Sequence, residues 1–138
     1  MAGGRVPDGP RVVVGAAIVR DGYLLAARRN APAALAGGWE LPGGKVEPGE
    51  SETEALIREC QEELGVVVVP GERVPGEWPL RDDLVLRVYL AELVEGEPAP
   101  LEDHDELRWL AGADLFEVAW LPADVPAVTA FRRFSGLG

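Results

Sequence analysis

Three glutamates in the sequence stand at a spacing that suits metal chemistry. Glu59, Glu62 and Glu63 are related as i, i+3 and i+4, so on a helix their carboxylates meet within a few ångströms. Like charges at that spacing destabilise a bare helix, and sharing one site raises some of their pKa values. A hard divalent cation removes this penalty, because Mg²⁺ takes oxygen ligands. The alternative interpretation is a solvated acidic face.

A helix over residues 52–64 must position these acids. Ser51 and Glu54 have the spacing of a capping box at its start, and Gly65 is suited to end it in a left-handed conformation. Ala55 is expected on the acidic arc, one turn before the acids, where it leaves open space. The predicted buried face consists of the apolar residues on the neighbouring arc, namely Leu56, Ile57, Cys60 and Leu64.

A turn-rich loop leads into this helix. Gly43 and Gly44 allow the backbone to come close to a ligand. A Pro-Gly turn after them places one more acid, Glu50, ahead of the helix. Arg58 lies one turn before Glu62, and we expect it to brace that carboxylate.

Loop and helix together have a specific spacing, carried by Gly44, Glu50, Arg58, Glu59, Cys60, Glu62, Glu63, Gly65 and Val66. This run resembles the Nudix box, G-x5-E-x7-R-E-U-x-E-E-x-G-U, in which U is a bulky aliphatic residue. Every polar position matches. Cys60 is the one departure, and it costs little because cysteine packs as a small hydrophobe. The resemblance implies the Nudix α/β/α sandwich, with a mixed β-sheet and the box helix in the middle of the chain.

The resemblance also implies an activity. Enzymes of the MutT-like branch hydrolyse a nucleoside triphosphate to the monophosphate and pyrophosphate. The implied ligands of Mg²⁺, for which Mn²⁺ can substitute, are Glu59, Glu62, Glu63 and the carbonyl oxygen of Gly44. Glu50 supports this shell, either Glu62 or Glu59 activates the water, and Arg58 is a brace. Lys45 either contacts phosphate or is solvated.

An acidic loop outside the box is a second candidate source of metal ligands. MutT-like enzymes often take another acid from a loop shortly before a strand that contains a tryptophan. Counting back from Trp109, Asp103 is the first choice for this acid and Glu102 the second. A wet acidic loop is the alternative. His104, the only histidine, is assigned no role.

Specificity must come from residues outside the box. Arg29, ten residues before Trp39, resembles the arginine that MutT-like enzymes use near the phosphate or base, with a surface arginine as the alternative. Asp124 lies in a Pro-Ala-Asp-Val-Pro segment similar to one in which MutT-like enzymes place an asparagine against a purine. An amide donates and accepts, as a guanine edge requires, whereas an ionised carboxylate only accepts, which suits the exocyclic amine of cytosine or adenine.

Further features of the sequence indicate which nucleotide base the site would bind. The segment around Asp124 and the Asp103-His104 pair also resemble the bacterial CTP pyrophosphohydrolase branch. Alternatively, Asp124 only caps the last helix. The leading hypothesis is hydrolysis of cytosine nucleotides (CTP, dCTP or 5-methyl-dCTP). The alternatives are 8-oxo-dGTP sanitation, which needs a protonated Asp124 or pairing through purine N–H groups, a catalytically silent nucleotide-sensing domain, and hydrolysis of sugar nucleotides or dinucleoside polyphosphates.

Composition and net charge limit the classes of partner that the protein is expected to bind. The chain has 138 residues, net charge −11 and one cysteine, and we expect one domain over residues 11–138 after a loose segment at residues 1–10. The charge argues against binding to nucleic acid or a membrane surface, and a polyphosphate substrate needs metal ions as escorts. Reduced cysteine, no apolar signal segment and no bilayer-spanning run favour the cytoplasm. The sequence is compatible with a monomer or a homodimer.

The remaining elements form a frame around the box. A hairpin turn is predicted at Asp21-Gly22, a helical turn at residues 114–116, and a loop or edge at residues 70–82. A closing helix over residues 123–134 is expected to bury Val125, Val128 and Phe131. Strands are predicted at residues 11–20, 23–28, 39–41, 66–69, 84–94 and 107–110. Such an order favours a mixed sheet with helices on both sides.

Overall fold

Two long strands, β1 (Arg11–Arg20) and β7 (Leu84–Glu95), run parallel at the centre of the sheet. The computed structural model describes residues 11–137, so the expected loose segment at residues 1–10 lies outside the described part. The two strands pair from Arg11 opposite Leu84 to Ile18 opposite Ala91. Both are apolar on successive residues, because a strand at the centre of a sheet covered on both faces has no solvent side.

The other strands pair antiparallel around this centre, so the sheet is mixed as predicted. These strands are β2 (Tyr23–Arg29), β3 (Trp39–Glu40), β4 (Gly43–Lys45), β5 (Val67–Arg73), β6 (Trp78–Arg81) and β8 (His104–Ala111). The order is β3-β2-β1-β7-β5, with β4 against β1, β6 against β7 and β8 against β2.

The sheet splits at one edge of β1. Strand β2 pairs with β1 only next to the hairpin, through Val19 and Arg20, whereas β4 pairs with β1 between Val13 and Gly15. The segment at residues 39–45 therefore crosses from β2 to β1, and the Ala16 amide donates to the Pro42 carbonyl within it (2.7 Å). This crossing carries the residues that the site uses.

One helix covers each face of the sheet, which confirms the α/β/α sandwich. Helix α1 (Glu52–Leu64) packs with one set of β1 side chains. Helix α2 (Asp124–Ser135) packs with the opposite set through Ala127, Val128 and Phe131. Neither helix has the length and apolar run that crossing a bilayer requires, and no other described helix does.

The box helix begins and ends where the sequence predicts. The Ser51 hydroxyl accepts from the Glu54 amide and the Glu54 carboxylate accepts from the Ser51 amide, which is the capping box. Gly65 ends the helix with φ 71°. Cys60 is fully buried among aliphatic side chains, and burial raises its pKa to about 12, so it packs as the hydrophobe that the box requires.

Several details differ from the predictions. Strand β4 was missed, β5 continues through Pro70, β8 begins at His104 rather than residue 107, and the helical turn is a 3-10 helix at Gly112–Asp114. Ala55 was expected beside open space, but it is fully buried in the core. Val125 was expected on the buried face of α2, but it is exposed and Asp124 takes the inward position.

Candidate active site

The acidic arc of α1 is turned partly into the protein, with Glu63 innermost and Glu62 outermost. Glu63 is buried, and its carboxylate accepts from the Gly43 amide at 3.1 Å. Ala55, which lies on the same arc, is fully buried as well. This placement rules out the interpretation of the arc as a solvated acidic face, because a solvated face leaves its small residues exposed.

The two loop glycines make room for this arc. A Cβ atom on Gly43 would lie 1.9 Å from the carbonyl oxygen of Val14, and one on Gly44 would lie 2.4 Å from Cδ of Glu59. The Glu59 carboxylate thus rests directly against the Gly44 backbone. The sequence predicted a close approach of backbone to a ligand here, and the structure shows a close approach of backbone to an acid.

Burial shifts the pKa values of the two inner acids. Desolvation raises the pKa of Glu59 and of Glu63, and the negative charge of Glu59 adds to the shift of Glu63. Glu40 also adds negative charge near Glu63. Two neighbouring acids whose ionisation is disfavoured by burial form a site that a cation can fill. Glu62 is different, because 44% of its side chain is exposed.

Arg58 holds the outer acids together, as the brace prediction required. Its guanidinium forms a bidentate contact with Glu50 (Nε–Oε2 2.7 Å and Nη2–Oε1 3.0 Å). It also donates to Glu59 at 3.0 Å, to Glu62 at 3.2 Å and to the Lys45 carbonyl at 3.1 Å. The Arg58 contact lowers the pKa of Glu50 to about 2. Glu50 is therefore the anchor of Arg58, and Arg58 in turn fixes two box acids.

The donor set fits a hard divalent cation. Within residues 11–137, no three His, Cys, Asp or Glu side chains are arranged as a closed coordination shell. The box nevertheless supplies carboxylate oxygens, and buried Glu63 forms no ion pair with a described residue. Mg²⁺ binds carboxylate and carbonyl oxygens, and Glu59 and Glu62 each have a second oxygen that Arg58 does not contact. The groups that would hold it are Glu59, Glu62, Glu63 and the Gly44 carbonyl.

A cavity of about 550 Å³ opens next to these acids. It lies between the crossing segment, the central strands and the start of α2, and its wall includes Glu40, Leu41, Gly43 and Asp124. Gly43 both lines the cavity and donates to Glu63, so the cavity and the acidic cluster adjoin. Arg81 also lines the cavity and forms no ion pair with a described residue, a feature that the sequence analysis missed.

Asp124 is not a helix cap. Ala123 is the N-cap of α2, and no side chain makes a capping hydrogen bond there. Instead, Oδ2 of Asp124 accepts from the Leu41 amide at 2.9 Å, and the residue is buried in the cavity wall. Burial raises the pKa of Asp124 to about 7, and the negative charge of Glu40 adds to the shift. The sequence held a signal for this burial, since Asp124 precedes Ala127, Val128 and Phe131 at the spacing of the inward face.

The three remaining candidates lie elsewhere. Asp103 has a positive φ of 60° and a 63% exposed side chain, 3.8 Å from Arg29. Glu102 is exposed, and its carbonyl lies 2.8 Å from His104 Nδ1. Neither carboxylate belongs to a described metal-binding group, so their role as ligands stays a prediction. The Lys45 side chain is exposed and unpaired among described residues, which leaves its two alternatives open.

A partly buried network around Glu40 was not predicted. Arg29 donates to Glu40 at 2.9 Å and to the Ala31 carbonyl at 2.8 Å, so it is no ordinary surface arginine. The His104 side chain is 1% exposed, and its Nε2 lies 2.8 Å from the same Glu40 oxygen. Arg29 and His104 are partners in the register of β2 and β8. Nothing in the local sequence indicates this meeting, because the strand pairing creates it.

Comparisons with known proteins show which family and which relatives the chain resembles. The NUDIX domain model matches residues 9–131. A Mycobacterium tuberculosis protein provisionally named 8-oxo-dGTP diphosphatase 2 is 47% identical over 117 residues, which are 83% of this chain and 82% of that protein. The CTP pyrophosphohydrolase of Escherichia coli is 36% identical over 120 residues, or 86% of this chain and 89% of that protein. The solution structure of the E. coli ORF135 protein is similar with a TM-score of 0.78 at 34% identity, and the match covers 92% of this chain and 91% of that chain.

Proposed function

The chain belongs to the NUDIX domain family, and from this premise we propose that it hydrolyses a nucleoside triphosphate to the monophosphate and pyrophosphate with Mg²⁺ as the cofactor. That it is a nucleotide pyrophosphohydrolase follows from the family and from relatives named for this activity. One observation carries the proposal further. The buried acids of the box adjoin a cavity large enough for a nucleoside, and Gly43 belongs to both.

The protein groups divide the work by position. A divalent cation bound at the box neutralises phosphate oxygens and lowers the pKa of a water molecule. Arg58 holds Glu59 and Glu62 in place, and either acid accepts the proton of the attacking water. The Gly43 amide fixes Glu63 at the cavity wall. Phosphoryl transfer leaves little covalent work for a protein, so positioning and charge stabilisation account for most of the catalysis.

Cytosine is the base that we propose. Asp124 lies in the cavity wall, where Oδ2 is used by the Leu41 amide and the other oxygen has no described partner. An ionised carboxylate there accepts from the exocyclic amine of cytosine. The net charge of −11 also favours a metal-escorted mononucleotide over a nucleic acid.

Hydrolysis of 8-oxo-dGTP is the second candidate, and burial of Asp124 favours it. With its pKa near 7, the acid is largely protonated in mildly acidic solution. A protonated carboxyl group both donates and accepts, as an asparagine does. A purine edge with both donor and acceptor groups requires this pattern, so below pH 7 Asp124 suits such an edge as well as a cytosine amine.

The test is a turnover panel with Mg²⁺ that contains CTP, dCTP, 5-methyl-dCTP, dGTP, 8-oxo-dGTP and ADP-ribose. We expect pyrophosphate release, with a cytosine nucleotide giving the highest kcat/KM. A preference for 8-oxo-dGTP would select the second candidate. Turnover of ADP-ribose alone would refute the triphosphate proposal, and no turnover of any substrate would favour a nucleotide-sensing domain.

The variant Glu62→Gln tests the role of the box acids. We expect kcat to fall by roughly 100-fold or more, since a positioned acid–base group typically contributes at least that factor. Glu62 is partly exposed and tied only to Arg58, so the melting temperature should change little. Glu95→Gln, an exposed residue of β7, is the matched control. Wild-type turnover by Glu62→Gln would remove this acid from the mechanism.

A further inference from the structure

Glu40 is held from two sides by partners that are themselves fixed. Its Oε2 lies 2.9 Å from Nη1 of Arg29 and 2.8 Å from Nε2 of His104. The Nε of Arg29 donates to the Ala31 carbonyl, and Nδ1 of His104 lies 2.8 Å from the Glu102 carbonyl. A carboxylate with one oxygen held in this way has little rotational freedom left.

The other carboxylate oxygen of Glu40 has no hydrogen-bond partner among the described residues. Glu40 lines the cavity, and 16% of its side chain is exposed. Its Oε1 is therefore an acceptor without a described partner on an oriented residue of the cavity wall. A group that is ordered before binding loses little conformational entropy when a ligand arrives, so each hydrogen bond it forms adds more to affinity.

The position of Glu40 indicates which part of a nucleotide it would meet. The next residue, Leu41, donates its amide to Asp124, at the end of the cavity proposed for the base. Three residues after Glu40, Gly43 donates its amide to Glu63, at the end proposed for metal and phosphate. Glu40 itself lies near both ends, since its negative charge acts on Asp124 and on Glu63, which places it beside the interval between base and phosphate. In a nucleotide, that interval is the sugar.

We propose that Oε1 of Glu40 accepts a hydrogen bond from a hydroxyl group of the nucleotide sugar, and that His104 is the positioning residue that holds Glu40 for this contact. The inference rests on the proposed function, since it takes the bound ligand to be a nucleotide. It gives the buried histidine a role, and it makes Glu40 a determinant of the sugar that the site accepts.

The test removes the hydroxyl from the substrate and the acceptor from the protein. In wild-type protein, ddCTP should have a kcat/KM about 10-fold below that of dCTP, mainly through KM, because a hydrogen bond to a charged group is lost. In Glu40→Gln this ratio should approach one. CTP reports the 2′-hydroxyl, and the guanosine series (GTP, dGTP and ddGTP) is measured in parallel. Glu92→Gln, an exposed acid of β7, is the control and should keep the wild-type ratio.

Two substitutions at His104 separate positioning from packing. Gln places its amide nitrogen where Nε2 of the imidazole lies, so His104→Gln should retain most of the sugar discrimination. Asn is shorter and places its amide near the Nδ1 position, so His104→Asn keeps the contact with the Glu102 carbonyl and loses Glu40. The His104→Asn variant should therefore lose discrimination between dCTP and ddCTP to the same degree as Glu40→Gln. A combined His104→Asn and Glu40→Gln variant should show no further loss, as expected for residues that act through one contact.

Each outcome decides the question. Equal loss of dCTP and ddCTP turnover in Glu40→Gln would show that Glu40 is structural and would overturn the proposal. Glu40→Gln could instead change the ratio of CTP to UTP turnover and leave the dCTP to ddCTP ratio unchanged. That result would show that Glu40 acts on the base amine, and it would overturn the proposal as well. If the wild-type protein hydrolyses none of these nucleotides, the proposed function fails and the sugar contact fails with it. If the protein hydrolyses these nucleotides but Glu40→Gln leaves the dCTP to ddCTP ratio unchanged, only the sugar contact is refuted.

Discussion

Asp124 illustrates how the surroundings of one carboxyl group decide its chemistry. From its residue type, an ionised acceptor or a helix cap was expected. The structure places it in the cavity wall, hydrogen-bonded to the Leu41 amide and with its pKa raised to about 7. It can therefore act as an acceptor above neutral pH and as donor and acceptor below it. If Asp124 contacts the base as we propose, the base preference should depend on pH.

Replacing Asp124 with Asn tests this dependence. In wild-type protein, the ratio of cytosine-nucleotide to 8-oxo-dGTP turnover should rise several-fold between pH 6 and pH 8, as the carboxyl group ionises. In Asp124→Asn the ratio should favour 8-oxo-dGTP and should not change with pH, because an amide does not titrate. Competition between dCTP and 8-oxo-dGTP at each pH measures the ratio directly and cancels pH effects on the metal site. A wild-type ratio that is flat with pH would leave Asp124 without a role in base recognition.

The same carboxyl group links stability to pH. The folded pKa near 7 lies above the usual 3.8, so the folded protein binds more protons than the unfolded chain between these values. The stabilisation is fully present below about pH 4 and is lost as pH rises through 7. Between pH 5 and pH 8 the loss from Asp124 amounts to about 2–3 kcal/mol. In urea unfolding without metal, the free energy of unfolding of Asp124→Asn should rise relative to that of wild-type protein by this amount between pH 5 and pH 8. If both proteins change equally with pH, the raised pKa of Asp124 is contradicted.

At the scale of elements, the loop and strand β4 decide where the box acids lie. Helix α1 alone would present its acids at arbitrary distance from the rest of the chain. Pairing of β4 with β1 brings Gly43 and Gly44 against Glu63 and Glu59. The acids are thus positioned by backbone that reaches them only because two residues lack side chains.

Gly44→Ala should separate activity from stability. An added Cβ would lie 2.4 Å from Cδ of Glu59, so the carboxylate must move. Because this is the end of a flexible side chain, we expect a small change in melting temperature and at least about a 10-fold fall in kcat/KM, since small misplacements of catalytic groups have effects of this order. Gly71→Ala, where the nearest atom is 3.5 Å away, is the control. Wild-type activity in Gly44→Ala would show that the Glu59 position is not critical.

Elements that depend on local interactions were predictable from the sequence. The bounds of α1 follow from Ser51, Glu54 and Gly65, which act within a few residues of one another. The hairpin at Asp21-Gly22 and the long strands β1 and β7 follow from turn chemistry and apolar runs. Glu59 and Glu63 were placed on the correct arc for the same reason.

Features that depend on distant pairing were not predictable. The burial of Ala55 requires the loop to fold over α1, and strand β4 exists only because β1 offers it an edge. Contact between Glu40 and His104 spans 64 residues, and no local pattern encodes it. The exposed position of Val125 follows from the rotation of α2 about its axis. Asp124 was identified as important, but its contact with Leu41 over 83 residues was beyond the reach of local reasoning.

For the molecule as a whole, the dominant quantity is its charge. With a net charge of −11, the protein repels the anionic substrate that its site is proposed to bind. The described arginines offset the negative charge only locally, since Arg29, Arg58 and Arg87 each pair with a carboxylate. Long-range repulsion between like-charged partners slows association and is weakened by salt.

Association with substrate should therefore become faster as ionic strength rises. With Mg²⁺ saturating, kcat/KM for the preferred triphosphate should increase a few-fold between about 20 and 200 mM KCl, because the screening length falls from roughly 20 Å to below 10 Å. The effect should appear in KM, since kcat depends on contacts inside the site. Replacing Glu92 and Glu95 with Lys, both exposed on β7, reduces the net charge without altering the cavity and should flatten the salt dependence. A rate that falls with salt would mean instead that local cations, namely Arg81 at the cavity and exposed Lys45 at the end of β4, outweigh the charge of the whole protein.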